Sequence, residues 1–166
     1  MNKAHRIAAG GLIFKGEQVL LVRYRDQAGG SYLVGPGGGL EQSENILQAI
    51  IREVQEETGI TVAPRRVVVI EDLQTPRYKM IKVWMVCDFV AGEVHPTQAA
   101  ETEGIIEAAW FTKEQLTGEV VYPAPLMQHD WAEFQAENWQ VEILPSQEAE
   151  GSEWPEQNGQ ERSEPG

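Results

Sequence analysis

Three glutamates stand close together in the middle of this 166-residue chain: Glu53, Glu56 and Glu57. Positions i, i+3 and i+4 share one face of a helix, so their carboxylates gather there. Like charges at this spacing repel one another, and negative charge near a helix C-terminus opposes the helix dipole. The alternative is an ordinary solvated acidic surface. Because the arrangement costs local stability, we interpret it as a functional site for a cation.

Clustered carboxylates suit hard cations, and Mg²⁺ typically takes one or two of them together with water and substrate phosphate oxygens. When bound, Mg²⁺ neutralises a diphosphate and lowers the pKa of a coordinated water. We therefore expect Mg²⁺ as the cofactor, with Mn²⁺ as the alternative ion. A metal would also let a protein with a formal net charge of −13 accept an anionic substrate.

The glutamates lie in the clearest helix of the sequence, which we predict from Ser43, its expected N-cap, to Thr58, with Gly59 as the C-terminal stop. At 100° per residue, one apolar stripe of this helix comprises Leu47, Ile50, Ile51 and Val54. A glycine-rich run at 35–39 precedes it and indicates positive φ angles or a close approach to another group, not a strand interior.

The rest of the sequence predicts more strands than helices. Residues 5–14 and 18–24 are predicted to form a hairpin, and further strands are expected at 32–34, 62–73, 80–90, 105–111 and 141–144. A polar loop is expected at 91–104, a short helical turn at 112–116 and a final helix at 126–139. This pattern favours the α/β class, with helices on the faces of a mixed sheet.

The segment from Gly38 to Ile60 reads GGLEQSENILQAIIREVQEETGI. It resembles the Nudix box, in which Gly, Glu, Arg-Glu-aliphatic, Glu-Glu and Gly-aliphatic follow at fixed spacing, and every constrained position is filled. Such a match is far more specific than a short glycine motif. On this resemblance, which covers roughly residues 5–135, the chain is identified as a member of the Nudix hydrolase family.

The resemblance implies a fold and a set of ligands. The fold would be a three-layer α/β/α sandwich with a mixed sheet, formed by residues 1–145, and residues 146–166 would be an acidic, disordered tail. Glu53, Glu56 and Glu57 would be the metal ligands. The backbone carbonyl of Gly37 or Gly38 would add an oxygen.

Other residues of the box would support these ligands. Arg52 would orient the carboxylates, and Glu44 would support the helix and Arg52. Many relatives place a further acidic residue in a late loop as metal ligand or base, for which Glu101 and Glu103 are available, and we favour Glu103. One position departs from the family pattern, since Gly35 stands where a large apolar residue usually precedes the proline. We expect it to loosen the loop without removing a catalytic group.

The family cleaves nucleoside diphosphates linked to another group, and the marks of its subclasses compete here. Pro76 lies 16 residues beyond Ile60, a spacing similar to that of ADP-ribose pyrophosphatases, whereas Tyr78 lies 18 beyond, near that of dinucleoside polyphosphate hydrolases. A nucleoside triphosphate, ADP-ribose and a dinucleoside polyphosphate all remain open. The predicted substrate contacts are Arg23, Arg25, Arg77 and Lys79 for phosphate, and Tyr32, Tyr78 and Trp84 for base stacking.

The composition limits the class of partner. A chain with 26 acidic and 13 basic residues is a poor ligand for duplex nucleic acid or an anionic membrane, so a small-molecule nucleotide is the expected partner. The single cysteine, Cys87, agrees with a cytoplasmic location, and a homodimer is compatible with the sequence. The alternative to an enzyme is a non-catalytic nucleotide-binding sensor or interaction module on the same fold.

Overall fold

A computed structural model describes residues 2–148. The strands are β1 (Ala4–Lys15), β2 (Gln18–Arg25), β3 (Ser31–Val34), β4 (Gly37–Gly39), β5 (Thr61–Gln74), β6 (Tyr78–Ala91), β7 (Ile105–Thr112), β8 (Val121–Tyr122), β9 (Glu142–Ile143) and β10 (Gln147–Glu148). The helices are α1 (Ile46–Thr58), α2 (Gln98–Glu103) and α3 (Trp131–Gln135), with 3₁₀ turns at Glu114–Leu116 and Ala124–Met127. Within residues 2–148 the longest helix, α1, has 13 residues, fewer than the roughly 20 that span a bilayer.

The strands form one mixed sheet with β1 at its centre, in the order β10-β5-β6-β1-β2-β3-β8. β1 runs parallel to β6 along most of its length, while β5 and β6 are antiparallel. The predicted hairpin of β1 and β2 is confirmed only next to its turn, where Phe14 pairs with Val19 and Lys15 with Gln18. β4 is held on β1, and β7 on β2.

Helical segments cover both faces of this sheet, which confirms the predicted α/β/α layering. On one face, Ile50 and Val54 of α1 pack against β1, β2 and β6. On the other, Leu116, Trp131 and Phe134 from the 3₁₀ and α3 segments pack in a second core. Successive residues of β6 alternate between the two cores, as the period of a strand requires.

α1 begins later than predicted. Its N-cap is Asn45, whose side chain accepts the N–H of Gln48 while the Gln48 side chain accepts that of Asn45, so the assignment of Ser43 was wrong. Leu47 and Ile51 are 46% and 39% exposed, so the buried stripe is narrower than the predicted one. The C-terminal stop is confirmed, because Gly59 has a φ of 85°.

The C-terminal part of the sheet also differs from the prediction. The single helix expected at 126–139 is wrong, because a 3₁₀ turn is followed by the short α3, which Asp130 caps. The expected loop 91–104 contains α2, which begins after Thr97 and buries only Ala100. β9 confirms the extra edge at 141–144. Gln147 and Glu148 pair with β5, so disorder from residue 146 was wrong there, and the tail from residue 149, including Trp154, lies outside the described residues.

The glycine-rich run is needed for close approach and not for positive φ. β4 is a strand, and none of Gly35, Gly37, Gly38 and Gly39 has a positive φ. A Cβ on Gly37 would lie 2.4 Å from the carbonyl oxygen of Ala9, so only glycine lets β4 approach β1 this closely. The expectation that the run could not form a strand was therefore wrong.

Gly35 does not loosen its loop, contrary to expectation. A Cβ on Gly35 would lie 2.6 Å from the Trp84 ring, and one on Gly10 would lie 2.3 Å from it. The fully buried indole of Trp84 therefore occupies the space that a larger residue at position 35 would need. Backbone hydrogen bonds from Gly35 to Tyr122 and from Gly11 to Pro36, of 3.2 and 2.9 Å, fix the loop further.

Candidate active site

Glu53 and Glu57 lie on the inner side of α1, with exposed fractions of 4% and 1%. The alternative of a solvated acidic surface is therefore wrong for these two residues. Oε2 of Glu53 and Oε1 of Glu57 are fully buried and have no hydrogen-bond partner among the described residues. Unsatisfied carboxylate oxygens inside a protein are costly, so these two atoms indicate that a ligand completes the site.

Glu103, at the end of α2, is the third member of the cluster. One carboxylate oxygen of Glu53, of Glu57 and of Glu103 lies within 4.8 Å of the others. α2 is anchored to α1 because the Thr97 hydroxyl donates to the carbonyl of Glu56 while it accepts the N–H of Ala100. The structure thus brings Glu103 to the site predicted from the helix.

Burial and mutual repulsion act on these carboxyls together. Burial raises the pKa of Glu57 well above its ordinary value, and the neighbouring Glu53 and Glu103 raise it further. Burial also raises the pKa of Glu53 against the opposing effect of Arg52. The pKa of Glu103 is raised by partial burial and then by Glu53. A divalent cation would relieve both the desolvation and the repulsion.

The donor set fits a hard divalent cation. Three carboxylate groups converge, two of them with buried oxygens that have no partner among the residues described. Oxygen ligands of this kind suit Mg²⁺ or Mn²⁺ in preference to softer metals. Glu53, Glu57 and Glu103 are the residues that could hold the ion.

Arg52 ties the cluster to the loop before α1. Its guanidinium donates to both carboxylate oxygens of Glu44, at 2.6 and 2.8 Å, and to the Gly39 carbonyl at 3.2 Å. It also donates to Glu53 at 3.0 Å and to Glu56 at 3.1 Å. The Arg52 hydrogen bonds lower the pKa of Glu44, which stays ionised and holds the guanidinium in place.

The positions of Glu56 and Gly37 differ from those expected of metal ligands. The side chain of Glu56 is 39% exposed, and within the described chain it is not part of the 4.8 Å cluster. The N–H of Gly37 donates to Oε2 of Glu57 at 3.2 Å, while Gly38 is buried in β4. Direct metal ligation by Glu56 and by the carbonyl of Gly37 or Gly38 stays a prediction.

A cavity of about 920 Å³ opens beside the cluster. Its walls combine Glu53, Glu56 and Glu103 with aromatic and basic side chains from the sheet: His5, Arg6, Tyr24, Tyr32, Tyr78 and Lys82. The rings of Tyr24 and Tyr32 are stacked with centroids 5.5 Å apart. The guanidinium of Arg6 lies 4.3 Å from the centroid of the Tyr78 ring. Arg6 and Tyr78 thus form a planar surface of the kind on which nucleobases stack, whereas Tyr24 and Tyr32 are each only 7% exposed and stack on one another.

The predicted substrate contacts divide into two groups. Tyr32 and Tyr78 line the cavity, whereas Arg23, Arg25, Arg77 and Lys79 are not among its lining residues. Arg23 joins three strands and a loop, because it donates to Glu107 at 2.7 Å, to Ser31 at 3.0 Å and to Glu119 with two nitrogens. Trp84 has no exposed surface, so base stacking on it is excluded.

Several residues that line the cavity were missed in the sequence, among them Arg6, Tyr24 and Lys82. Lys82 carried a detectable signal, since it interrupts the otherwise apolar interior of β6. Glu71 similarly interrupts β5, directly opposite Lys82 in the sheet. A pair of charged residues inside two apolar strands is uncommon and indicates a special environment.

The similarity to known proteins extends well beyond α1. The NUDIX domain model matches residues 4–138. The chain is similar to the 8-oxo-dGDP phosphatase NUDT18 of Danio rerio, at 32% identity over 73% of this chain and 34% of that protein. It is also similar to an ADP-ribose pyrophosphatase of Methanocaldococcus jannaschii, at 27% identity over 53% of each. The NAD-capped RNA hydrolase NudC of Pseudomonas aeruginosa is 30% identical over 63% of this chain and 35% of that protein.

The chain thus spans about a third to a half of the length of these relatives. Among solved structures, a NUDIX hydrolase from Nitrosomonas europaea is similar, with a TM-score of 0.61 and 26% identity over 74% of this chain and 84% of that one.

Proposed function

The chain belongs to the Nudix family, and from this premise we propose that it is a metal-dependent hydrolase that cleaves the pyrophosphate bond of a nucleoside diphosphate derivative. The observation that carries the proposal is the pair of buried, partnerless oxygens of Glu53 and Glu57 beside Glu103. Glu53 and Glu103 line a cavity whose volume is in the range of small-molecule sites.

We propose Mg²⁺ as the ion, with Mn²⁺ as the alternative, held by Glu53, Glu57 and Glu103, with Glu56 at its margin. When bound, the ion would neutralise the diphosphate and lower the pKa of the attacking water. Arg52 contributes by fixing Glu53 against the loop, so that the carboxylates need not reorganise when substrate arrives.

Two roles are open for Glu103. It is the most exposed of the three glutamates, and its raised pKa brings it closer to the range in which a carboxylate accepts a proton from water. It would serve either as a metal ligand or as the base. If Glu103 is the base, replacing it would lower turnover without changing the Mg²⁺ concentration that the enzyme requires. If Glu103 is a metal ligand, the variant would require more Mg²⁺.

The nucleoside is proposed to stack on the Arg6–Tyr78 surface, with the edges of Tyr24 and Tyr32 forming another part of the cavity wall. The relatives are named for an oxidised nucleoside diphosphate, for ADP-ribose and for NAD-capped RNA, all of which carry a diphosphate joined to a nucleoside. A nucleoside triphosphate, ADP-ribose and a dinucleoside polyphosphate fit the same chemistry. We expect the partner to be such a small molecule and the protein to act in the cytoplasm. A homodimer is compatible with this function.

The test is a panel of these compounds with Mg²⁺, in which the phosphate-containing products are resolved. We expect Glu53→Gln to lower turnover by orders of magnitude while the protein stays folded. Glu103→Gln should also lower it, whereas Glu101→Gln, an exposed residue of the same helix, is the matched control. Binding of a nucleotide without any turnover across the panel would instead support a non-catalytic sensor.

A further inference from the structure

Two oppositely charged side chains are buried in the sheet next to the cavity. Lys82 of β6 and Glu71 of β5 are 6% and 1% exposed and stand directly opposite each other in the antiparallel ladder. Lys82 lines the cavity, whereas Glu71 does not. The pair therefore places its positive member toward the space that a ligand would occupy.

Trp84 fixes the position of this pair. Its indole N–H donates to Oε1 of Glu71 at 2.5 Å, and the ammonium of Lys82 lies 4.3 Å from the centre of its ring. Trp84 is itself fully buried, and its ring fills the space beside Gly10 and Gly35. Lys82 is thus held by a counter-ion and an aromatic face on a rigid part of the sheet.

Fold stability alone does not account for the pair. Desolvating two charges costs several kcal/mol each, and apolar residues of similar volume are often as stable or more so. The neighbours of Lys82 along the same face of the cavity, Ala8 and Met80, are apolar. Glu57 and Glu53 also act electrostatically on Lys82, and its ammonium is the charge of the pair that faces the cavity. A cation kept in this wall, beside the glutamates that would hold the metal, indicates that the cavity accepts an anion there.

We propose that Lys82 is an anion subsite in the wall of the cavity, which binds a phosphate oxygen of the diphosphate group beside the metal-binding glutamates. Glu71 holds the ammonium in place when no ligand is bound. This inference rests on the proposed function for the identity of the substrate, but it can be tested by binding alone.

The experiment measures the affinity for methylenediphosphonate, a diphosphate analogue that cannot be hydrolysed and has no base, at a fixed Mg²⁺ concentration by calorimetry. We expect Lys82→Met to weaken binding about tenfold or more, since a charge-assisted hydrogen bond is lost. Glu71→Gln should strengthen it several-fold, because the ammonium loses the counter-ion that stands directly opposite it in the sheet. Lys79→Met removes an exposed charge from the same strand and should change the affinity less than about twofold.

A double variant covers the case in which Lys82→Met leaves Glu71 unpaired and fails to fold. Glu71→Gln with Lys82→Met keeps the pair neutral and keeps an acceptor for the Trp84 indole, so it should fold and should still bind about tenfold more weakly. Wild-type affinity in that folded double variant would overturn the proposal. So would weaker binding by Glu71→Gln alone, or no binding to the wild-type protein. Absence of turnover with the whole substrate panel, by contrast, would count against the proposed function. It would not affect the test of Lys82, which depends only on the measured affinities.

Discussion

Replacing Glu57 by glutamine should stabilise the metal-free protein and remove most of its stabilisation by Mg²⁺. Glu57 is 1% exposed, and its Oε1 has no partner among the described residues. Glutamine has the same shape, and its amide oxygen can still accept the N–H of Gly37. Burial raises the pKa of Glu57 and so destabilises its ionised form, and glutamine removes that charge, so we expect the metal-free variant to be more stable than the wild-type protein.

The effect of metal on the wild-type protein follows from mass action. Mg²⁺ at 100 times its dissociation constant adds about 2.7 kcal/mol to the free energy of unfolding. For a domain of this size that is a rise in Tm of about 5–10 °C. If the variant loses about a hundredfold in affinity, the same Mg²⁺ concentration adds only about 0.4 kcal/mol, or about 1–2 °C.

Thermal melts of both proteins in EDTA and in Mg²⁺ measure this difference. Glu101→Gln is the matched control, because it removes the same charge from an exposed position outside the cluster and should keep the full Mg²⁺ shift. Equal Mg²⁺ shifts in the wild-type protein and in Glu57→Gln would refute the reasoning, since the ion would then bind elsewhere.

Three further predictions follow from the same structure. Without metal, urea titrations should show stability falling as the pH rises above about 4.3, the ordinary pKa of a glutamate. Burial raises the pKa of Glu53 and Glu57, so the native state holds protons that the unfolded chain has released, and stability that rises with pH would contradict this. Gly35→Ala should cost about 1–3 kcal/mol in the same assay, because its Cβ would meet the Trp84 ring at 2.6 Å; an unchanged midpoint would show that the indole can shift. Removing residues 149–166 should change Tm by less than about 1 °C and leave turnover unchanged, since Trp154 is their one large apolar residue, and a larger loss would show that they pack on the domain.

The sequence was sufficient for the parts of the fold that repeat a local pattern. The period of α1 predicted Ile50 and Val54 as buried and Gly59 as its end, and runs of β-branched residues predicted β5 and β6. Local pattern did not reveal the parallel pairing of β1 with β6, because nothing in either strand encodes a partner so far along the chain. The prediction of one long helix at 126–139 was wrong because Asp130 caps a separate short helix, α3, within that segment.

The same limit applies to the site. The spacing of Glu53 and Glu57 within one helix was visible, whereas Glu103 reaches them only because Thr97 anchors α2 on α1. Positive charge alone was a poor guide to substrate contacts, since Arg23 is engaged by Glu107 and Glu119 outside the cavity lining. Lys82, in contrast, required knowledge of which face of β6 meets the cavity.

The central position of β1 has a consequence for the order in which the protein folds. Its pairing with β6 joins residues 74 positions apart, 4 and 78, and contacts this distant in sequence slow folding because loop closure must come first. β4, which presents Gly37 to Glu57, is held on β1. We therefore expect the ion-binding site to be completed after the rate-limiting step of folding. Mg²⁺ should then slow unfolding in stopped-flow experiments while leaving the refolding rate unchanged, so that metal prolongs the lifetime of the native protein without hastening its formation.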